Sequence, residues 1–222
     1  MENRLMVTAS THPVKNEILD YVEYIKNNNI DIDMFHVDIM DGVFVEDKTF
    51  EYQTVEEIRK ITTLPLDCHL MVKEPQNVID KYIDAGVNIL TVHYEAFEKE
   101  RDLIACLKKI KEKGCLVGIS IKPATRVSQI AKYLEMLDLV LIMSVEPGKS
   151  GQKFIMDSVN KIASLKNLTK ELDKKILIEV DGGINAETIK FVKKVNVDMV
   201  VSGSALYKST DKNLLINELR NA

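Results

Sequence analysis

The sequence predicts an α/β fold in which eight short strands alternate with helices along the whole chain. Apolar runs rich in β-branched residues recur at intervals of about 25 residues. Longer segments with apolar residues at three- and four-residue spacing lie between these runs. No linker, low-complexity tract or change of composition interrupts the alternation. Strands that alternate with helices in this way are typical of right-handed βαβ units and a parallel sheet.

The predicted strands have the composition of buried parallel strands. They are rich in valine, isoleucine and leucine, and a helical pattern follows each of them. The strands are residues 5–9, 34–39, 64–70, 88–92, 116–121, 137–143, 175–180 and 198–201. The first helical pattern is carried by Val14, Ile18, Val22 and Ile25. The other helices are residues 54–62, 77–85, 101–113, 127–134, 157–172, 186–194 and 214–220.

Eight such units in a chain of this length predict a single-domain (β/α)8 TIM barrel spanning residues 1–222. The alternative is an open, doubly wound sheet. That fold usually needs fewer strands and a glycine-rich turn after the first strand. Residues 10–13 stand at this turn and read Ser-Thr-His-Pro, so the barrel is favoured.

Composition excludes several classes of protein. The 222-residue chain is 45% hydrophobic and 29% charged, with a formal net charge of -4. It therefore buries a sizeable core and carries no basic field, so neither nucleic acid nor an anionic membrane is a predicted partner. No apolar run approaches the roughly 20 residues that cross a bilayer, and residues 1–4 lead into a strand pattern rather than a signal peptide. The predicted location is the cytoplasm.

The three cysteines predict neither a disulfide framework nor a zinc cluster. Cys68, Cys106 and Cys115 are odd in number, widely spaced and set in apolar surroundings. Such cysteines are typical of small buried hydrophobic residues.

Two histidines and two aspartates end apolar, strand-like runs. His36 and Asp38 are two residues apart on one predicted strand, so both side chains point to the same side of it. His69 ends the third predicted strand, and Asp181 follows the seventh. Because strand ends of a barrel converge on one face, the four side chains form a candidate site for one divalent transition metal. Taken singly, each histidine also fits a structural role, and Asp181 also fits a turn.

Glycine-rich segments follow the last three predicted strands and form a candidate phosphate site. They are residues 145–152, 181–185 and 201–205. Backbone N–H groups of glycine approach an anion without a Cβ in the way, and a helix N-terminus behind Gly203 and Ser204 adds its positive end. Barrels of this kind commonly bind phosphate in the loops after strands seven and eight. Glycines that only form tight turns are the alternative.

Five segments, in order along essentially the whole chain, closely resemble the ribulose-phosphate 3-epimerase family. They are FHVDIMDGVFV at residues 35–45, DCHLMV at 67–72, MSVEPGKSGQ at 143–152, VDGGIN at 180–185 and GSA at 203–205. The HxDxMDG and DxHLMV patterns are highly specific. The resemblance implies a barrel enzyme that binds a divalent metal and interconverts D-ribulose 5-phosphate and D-xylulose 5-phosphate.

The resemblance also implies roles for individual residues. The implied metal ligands are His36, Asp38, His69 and Asp181, of which Asp38 and Asp181 are also the implied acid/base pair. Ser10 and His69 are expected to touch the sugar. The residues expected to hold or cover the phosphate end are Gly148, Lys149, Ser150, Gly151, Gly182, Gly183, Gly203 and Ser204.

Inversion of a carbon next to a ketone explains why such residues are needed. The carbon loses its proton to give an enediolate and regains one on the opposite face, so two bases on opposite sides are the direct solution. One of Asp38 and Asp181 is expected to begin ionised and the other protonated. A cation on the substrate oxygens stabilises the developing charge. Met40, Met71 and Met143 are expected from the family to line the pocket, although the sequence by itself favours core filling.

The chain departs from the family pattern on its loops. Residues 45–47 read Val-Glu-Asp where the family usually has Val-Pro-Asn, and Lys149-Ser150 replaces the Phe-Gly of the usual lid. Residues 11–13 and 121–123 also differ. These changes bear on specificity more than on reaction type. Lys149 is expected either to contact the phosphate or a substrate hydroxyl, or to remain solvated.

Two residues at the end of the fourth predicted strand receive no catalytic role from the sequence. They are His93 and Glu95, in the segment Thr-Val-His-Tyr-Glu. Their place at a strand end makes them candidates for the pocket wall.

Three functions stay open from the sequence. The first is a metal-dependent 3-epimerase of D-ribulose 5-phosphate, and the second is the same reaction on another ketose phosphate such as D-allulose 6-phosphate. The third is a catalytically silent sugar-phosphate-binding barrel, or a barrel lyase that kept the metal residues. The implied cofactor is one divalent ion, with Zn²⁺ first and Fe²⁺, Mn²⁺ or Co²⁺ as alternatives, because all accept two histidines and two aspartates. The predicted partner is a phosphorylated ketose, and the resemblance implies a homo-oligomer.

Overall fold

Eight parallel strands form a closed barrel in the computed structural model, which describes residues 4–222. Each strand pairs with the next along the chain, and the last strand pairs with the first. Helices connect successive strands. The predicted α/β class and the (β/α)8 TIM barrel are therefore confirmed. Residues 1–3 belong to the segment that is predicted to lead into the first strand rather than to form a signal peptide, and they lie outside the described residues.

All eight predicted strands are present, with ends displaced by at most two residues. The strands are β1 (Met6–Ser10), β2 (Met34–Met40), β3 (Leu66–Met71), β4 (Ile89–His93), β5 (Leu116–Ile121), β6 (Leu139–Met143), β7 (Leu177–Asp181) and β8 (Met199–Ser202). The α-helices are α1 (Ile18–Asn27), α2 (Tyr52–Ile61), α3 (Ile79–Asp84), α4 (Glu100–Glu112), α5 (Asp157–Thr169), α6 (Ile189–Lys193), α7 (Ser204–Lys208) and α8 (Lys212–Asn221). Short 3-10 helices are His12–Val14, Pro75–Asn77, Tyr94–Ala96, Val127–Gln129 and Ala131–Met136.

Alternation along each strand separates an apolar outer layer from the barrel interior, which holds a polar cluster and a second, smaller apolar cluster. On β2, Phe35, Val37 and Ile39 belong to the large hydrophobic core cluster. Because successive side chains of a strand point to opposite faces, His36 and Asp38 point to the other side, into the barrel. Every residue of β2 and of β3 is buried. Polar side chains buried in this way need partners inside the barrel, and the polar cluster described below supplies them.

The predicted helix at residues 127–134 is wrong. The segment forms two 3-10 helices, Val127–Gln129 and Ala131–Met136. The buried residues Val127, Ile130 and Tyr133 follow one another at intervals of three. That spacing matches the three residues per turn of a 3-10 helix rather than the 3.6 of an α-helix.

Three further predicted helices are shorter than the sequence pattern suggests. Val14 belongs to a 3-10 helix, and α1 begins only at Ile18. The pattern at residues 77–85 covers the end of one 3-10 helix and then α3. The pattern at residues 186–194 forms the short α6. Apolar spacing marks the buried face in each case, but it does not distinguish one kind of helical turn from another at the ends.

The structure of the described residues bears on the predictions made for the cysteines and for membrane-spanning segments. Cys68, Cys106 and Cys115 are buried and free, as predicted. Burial raises the pKa of the Cys106 thiol to about 12, so this thiol is not a reactive one. Among residues 4–222, no helix has the length and apolar character needed to cross a bilayer.

Candidate active site

The register of β2 and β3 places a histidine opposite an aspartate twice. His36 is paired with Asp67, and Asp38 is paired with His69. Residues directly opposite on neighbouring strands lie on the same face, so these four side chains share the barrel interior. Asp181 ends β7 and reaches the same region from another part of the barrel wall. The sequence patterns HxD and DxH therefore interlock across one strand pair.

The four predicted metal ligands lie together at the carboxyl ends of their strands. Candidate ligand atoms of His36, Asp38, His69 and Asp181 all lie within 4.8 Å of one another. Asp38 Oδ1 is 3.3 Å from His36 Nε2 and 3.2 Å from His69 Nδ1. Ser10 Oγ donates a hydrogen bond of 3.0 Å to Asp38 Oδ2. Ser10, predicted as a sugar contact, thus also orients Asp38.

The donor set fits one divalent cation. His36 Nδ1–H donates to Asp67 Oδ2 at 2.6 Å, which turns His36 Nε2 toward Asp38. This Nε2 atom is buried and has no hydrogen-bond partner within the described residues. A buried nitrogen without a partner, beside two carboxylates and a second imidazole, is the arrangement that a transition metal satisfies. Asp67 holds His36 as carboxylates hold metal-binding histidines in other proteins.

Asp38 and Asp181 have opposite pKa shifts. Burial disfavours the charged form of Asp38, but the nearby positive charge of His36 and the close contacts with the His36 and His69 imidazoles outweigh burial and lower the pKa of Asp38. For Asp181, burial and the charges of Asp38 and Asp67 raise the pKa to about 7. Asp38 is therefore ionised at neutral pH, whereas Asp181 is partly protonated. An acid/base pair requires two groups in different protonation states, and the assignment of these roles to Asp38 and Asp181 stays a prediction.

The two histidines of the cluster also differ. Burial opposes the charged form of His36, but Asp38 and Asp67 raise its pKa well above the usual value. Burial lowers the pKa of His69, so His69 is neutral at pH 7. A cation that binds here displaces the extra proton of His36, because a metal needs the nitrogen lone pair.

A cavity of about 540 Å³ opens above the cluster. Asp38 and Asp181 line it, whereas His36 and His69 are fully buried beside its floor and do not. Contact between His69 and a sugar therefore stays a prediction. His93 and Glu95, the candidates for the pocket wall from β4, do not line the cavity either. The remaining residues predicted for the sugar, the phosphate or the pocket wall do line it: Ser10, Met40, Met71, Met143, Gly148, Lys149, Ser150, Gly151, Gly182, Gly183, Gly203 and Ser204.

The loop after β7 depends on glycine. Gly182 and Gly183 have φ angles of +121° and +66°. A Cβ at Gly183 would lie 2.7 Å from the backbone nitrogen of Phe154. Only glycine fits this path, which leaves backbone groups facing the cavity. The helix predicted behind Gly203 is α7, which is only five residues long.

Side chains on the loops that differ from the family pattern form hydrogen bonds and ion pairs with one another. Lys149 Nζ donates to Glu46 Oε2 at 3.1 Å, and both side chains are exposed. His12 Nε2 lies 3.1 Å from Asp47 Oδ2, and Lys15 Nζ donates to both oxygens of Asp47 at 2.7 Å. Lys149 is therefore exposed and paired with a carboxylate of the loop after β2, and both roles predicted for it stay open.

Sequence reasoning assigned no role to three polar groups next to the site. Asp67 contacts His36, Glu179 lies 3.8 Å from the same imidazole, and His12 lines the cavity. Burial and the charge of Asp67 raise the pKa of Glu179 well above its usual range. Asp67 lies two residues before His69, and Glu179 lies two residues before Asp181. This spacing puts each pair on the same face of its strand, so it is the sequence signal that could have identified Asp67 and Glu179.

Fold and site together define a (β/α)8 barrel enzyme with histidines and aspartates gathered at the carboxyl ends of its strands. Residues 13–207 match the model of the ribulose-phosphate 3 epimerase family. The ribulose-phosphate 3-epimerase of Bacillus subtilis (strain 168) is 43% identical over 189 residues, covering 85% of this chain and 86% of that protein. The ribulose-phosphate 3-epimerase of Aquifex aeolicus (strain VF5) is 40% identical over 179 residues, covering 81% and 79%. The chain belongs to the ribulose-phosphate 3-epimerase family and is an isomerase of the carbohydrate epimerase class.

Solved structures share the fold at low sequence identity. A 3-keto-L-gulonate-6-phosphate decarboxylase from Vibrio cholerae O1 biovar El Tor str. N16961 superposes with a TM-score of 0.70. It is 15% identical, and the match covers 98% of this chain and 96% of that one. At this identity the likeness supports the barrel architecture and nothing about the reaction.

Proposed function

We propose that the protein is a metal-dependent 3-epimerase that interconverts D-ribulose 5-phosphate and D-xylulose 5-phosphate. One observation carries the proposal: Asp38 and Asp181 come from different strands, meet within 4.8 Å in one cluster and line the same cavity. Epimerisation needs an acid and a base at one carbon, and these two carboxyl groups differ in protonation at neutral pH. Membership of the epimerase family supports the reaction type.

In this proposal four side chains hold one divalent cation: His36 and His69 through nitrogen, and Asp38 and Asp181 through oxygen. Zn²⁺ is the first candidate, and Fe²⁺, Mn²⁺ and Co²⁺ suit the same donors. The bound cation supplies positive charge that stabilises the negative charge of an enediolate. Asp67 contributes by keeping the proton of His36 on Nδ1, which leaves Nε2 available.

Asp38 and Asp181 transfer the protons. The ionised carboxylate of Asp38 removes the C3 proton from one face of the sugar, and the protonated carboxyl of Asp181 delivers a proton to the opposite face. Each turnover therefore exchanges the protonation states of the two groups. The reverse reaction begins with Asp181 as the base, so the same pair serves both directions. Ser10, which donates to Asp38 Oδ2, keeps that carboxylate in place.

The cavity walls bind the remainder of the substrate. Backbone groups of the glycine-rich loops after β6, β7 and β8 hold or cover the phosphate, as the sequence predicts for Gly148–Gly151, Gly182, Gly183, Gly203 and Ser204. Ser10, which lines the cavity, contacts the sugar, whereas His69 lies buried beside the floor and binds the cation. Met40, Met71 and Met143 form an apolar wall beside the reacting carbon.

Three further parts of the proposal come from the sequence: its pattern supports the domain and the location, and the resemblance implies the assembly. The enzyme works as one domain spanning residues 1–222, in the cytoplasm, and as a homo-oligomer. Size-exclusion chromatography with light scattering measures the assembly, and a mass equal to that of a single chain contradicts the oligomer.

Exchange with solvent deuterium tests the reaction. The metal-loaded enzyme is incubated with D-ribulose 5-phosphate in D₂O, and NMR follows the C3 position. We expect deuterium at C3 together with conversion to D-xylulose 5-phosphate, because the removed proton exchanges at a carboxyl group. Protein stripped with a chelator is the control. A metal-loaded enzyme that neither exchanges nor converts this sugar contradicts the proposed function.

A second substrate remains a candidate because the departures from the family pattern are paired around the cavity. The contacts His12–Asp47 and Glu46–Lys149 join loops that shape and cover the sugar pocket. A longer ketose phosphate such as D-allulose 6-phosphate would meet these loops first. The same exchange experiment with this sugar decides: faster exchange than with D-ribulose 5-phosphate assigns the enzyme to the longer substrate.

A further inference from the structure

A line of buried side chains leads from the cluster to the loop after β4. His69 Nε2 lies 2.9 Å from His93 Nε2, and His93 Nδ1 lies 3.1 Å from Glu95 Oε2. His69 and His93 are fully buried. The sequence gives His93 and Glu95 no catalytic role, and the proposed epimerisation uses neither of them.

The carboxylate of Glu95 is held in place by hydrogen bonds to Oε1, the oxygen that does not face His93. Glu95 Oε1 accepts a 2.7 Å hydrogen bond from the backbone N–H of Lys122 and another from the hydroxyl of Thr125. Lys161 Nζ in turn donates to the backbone carbonyls of Lys122, Pro123 and Thr125, which fastens the loop that supplies these donors. Burial opposes the charge, but these bonds and His93 lower the pKa of Glu95 to about 2, so the group is a carboxylate.

This fixed acceptor determines which nitrogen of His93 carries the proton. A carboxylate only accepts, so the 3.1 Å contact requires a proton on His93 Nδ1. His93 is fully buried, which favours the neutral ring, and a neutral ring has one N–H. Its Nε2 atom is then an acceptor. The ring of Phe44 packs against His93 in a tilted arrangement, with ring centroids 4.8 Å apart.

The same reasoning applies to the imidazole of His69. Two ring nitrogens 2.9 Å apart need one donor and one acceptor, and His93 Nε2 is the acceptor. His69 therefore carries its proton on Nε2. Its Nδ1 atom, which faces Asp38 Oδ1 at 3.2 Å, is left with a bare lone pair.

We propose that Glu95 and His93 are positioning residues that set the tautomer of His69, so that His69 Nδ1 presents its lone pair to the divalent cation. The relay runs from the donors on the loop after β5, through Glu95 and His93, to the metal ligand. It rests on the proposed metal site and adds to it the reason why His69 binds through Nδ1. A hydrogen-bond partner on the ring nitrogen that does not bind the metal fixes the tautomer and the orientation of a ligating imidazole.

Replacement of Glu95 by glutamine is designed to reverse the relay. The glutamine oxygen accepts from Lys122 and Thr125, so its NH₂ group faces His93 Nδ1 and donates to it. His93 then carries its proton on Nε2 and donates to His69, which moves the proton of His69 to Nδ1. The lone pair meant for the cation is lost, while the shape of the side chain is unchanged. Glu98→Gln is the matched control, because Glu98 is an exposed carboxylate three residues away.

Two measurements test the relay. Titration of chelator-treated protein with Co²⁺ gives the metal affinity, and ¹⁵N NMR of the imidazoles distinguishes protonated from bare ring nitrogens. We expect Glu95→Gln to weaken Co²⁺ binding by about 10- to 100-fold, as loss of such partners does elsewhere. We expect Glu98→Gln to bind as the wild type does. Wild-type His69 should show a bare Nδ1 and a protonated Nε2, and the two should be exchanged in Glu95→Gln.

A double variant separates a relay from a general loss of structure. His93→Leu removes the acceptor for His69 and is expected to weaken Co²⁺ binding, with folding checked by thermal unfolding. If Glu95 acts only through His93, Glu95→Gln adds no further loss in the His93→Leu background. Additive losses, an unchanged affinity of Glu95→Gln, or a wild-type His69 protonated on Nδ1 would overturn the relay alone. A wild-type protein that binds no divalent cation contradicts the proposed function as well.

Discussion

At the scale of single residues, the site depends on how the environment separates two chemically identical carboxyl groups. Asp38 is surrounded by imidazoles and a hydroxyl, which stabilise its charge. Burial and the negative charges of Asp38 and Asp67 disfavour the ionised form of Asp181, so its pKa rises to about 7. Two roles thus follow from one residue type because the neighbours differ.

Each base should serve one epimer. We expect Asp38→Asn and Asp181→Asn each to lower the rate of epimerisation by at least about 10²-fold, which is the lower range of general acid–base catalysis. Each variant should still exchange the C3 proton of the one epimer whose proton the remaining carboxylate faces. NMR in D₂O with both sugars separately measures this. A variant that exchanges both epimers at equal rates contradicts the assignment of the two bases, and Glu98→Gln serves as the unaffected control.

Cation binding should weaken as the pH falls below about 7. Protons compete with the cation at Asp181, whose pKa is about 7, and at His36, whose pKa is raised. Below these values the protonated forms predominate, so the affinity for Co²⁺ should fall about tenfold per pH unit for each proton released. Titrations at several pH values measure the slope. Asp181→Asn should reduce that slope by about one proton, and an unchanged slope contradicts the role of Asp181 as a ligand.

At the scale of elements, the pairing of β4 with β5 depends on Gly118 of β5, which lies opposite Thr91 of β4 and leaves room for its side chain. A Cβ at Gly118 would lie 2.1 Å from Thr91 Oγ1 and 3.0 Å from the Thr91 Cα. We expect Gly118→Ala to destabilise the fold by about 1–3 kcal/mol, the usual cost of overpacking. Thermal unfolding measures it. In the Thr91→Ala background the cost should be smaller, because the hydroxyl is gone while the backbone contact stays; an equal cost in both backgrounds contradicts the steric explanation.

The two loops that meet over the cavity offer a prediction about Lys149. The exposed pair with Glu46 contributes at most about 1 kcal/mol to stability, so its function lies elsewhere. If Lys149 contacts the phosphate of bound substrate, Lys149→Ala should lower kcat/KM severalfold without changing the melting temperature. Glu46→Gln keeps the ammonium group and is the control that should retain kcat/KM. Unchanged kinetics of Lys149→Ala removes the phosphate contact.

Strands were predicted from the sequence more completely than helices, and the reason is physical. A strand buried on both faces leaves an apolar run that is visible without any partner, as at residues 116–121. The turns at residues 127–136 were missed because three-residue spacing satisfies both kinds of helix over a short length. The ligand cluster was predictable from strand ends. The contacts of His93 and Glu95 were not, because they depend on strand register and on a hydroxyl 30 residues away.

At the scale of the whole molecule, cation binding should stabilise the barrel against unfolding. The ligands come from β2, β3 and β7, so the complete site exists only in the folded chain. At a free metal concentration 100 times the dissociation constant, the gain is about 2.7 kcal/mol. For a chain of this length this corresponds to an increase of about 5–11 °C in the melting temperature.

Differential scanning calorimetry with and without the cation measures this stabilisation. Addition of a chelator should reverse it, and His36→Ala should abolish most of it. A melting temperature that is identical with and without Zn²⁺, Co²⁺, Mn²⁺ and Fe²⁺ contradicts the metal site.

The pairing of β1 with β8 has a consequence for the time at which the protein becomes active during its synthesis. The residue pairs that seal the wall include Met6 opposite Met199 and Ala9 opposite Ser202, almost the full length of the chain apart. Contacts of such sequence separation form late, because a long loop must close before they form. A nascent chain that has reached β6 already contains His36, Asp38 and His69, but it lacks Asp181 and the strand that shuts the ring. Proton transfer on the sugar therefore has to wait for the final tenth of translation, and the half-made polypeptide has no opportunity to act on its substrate.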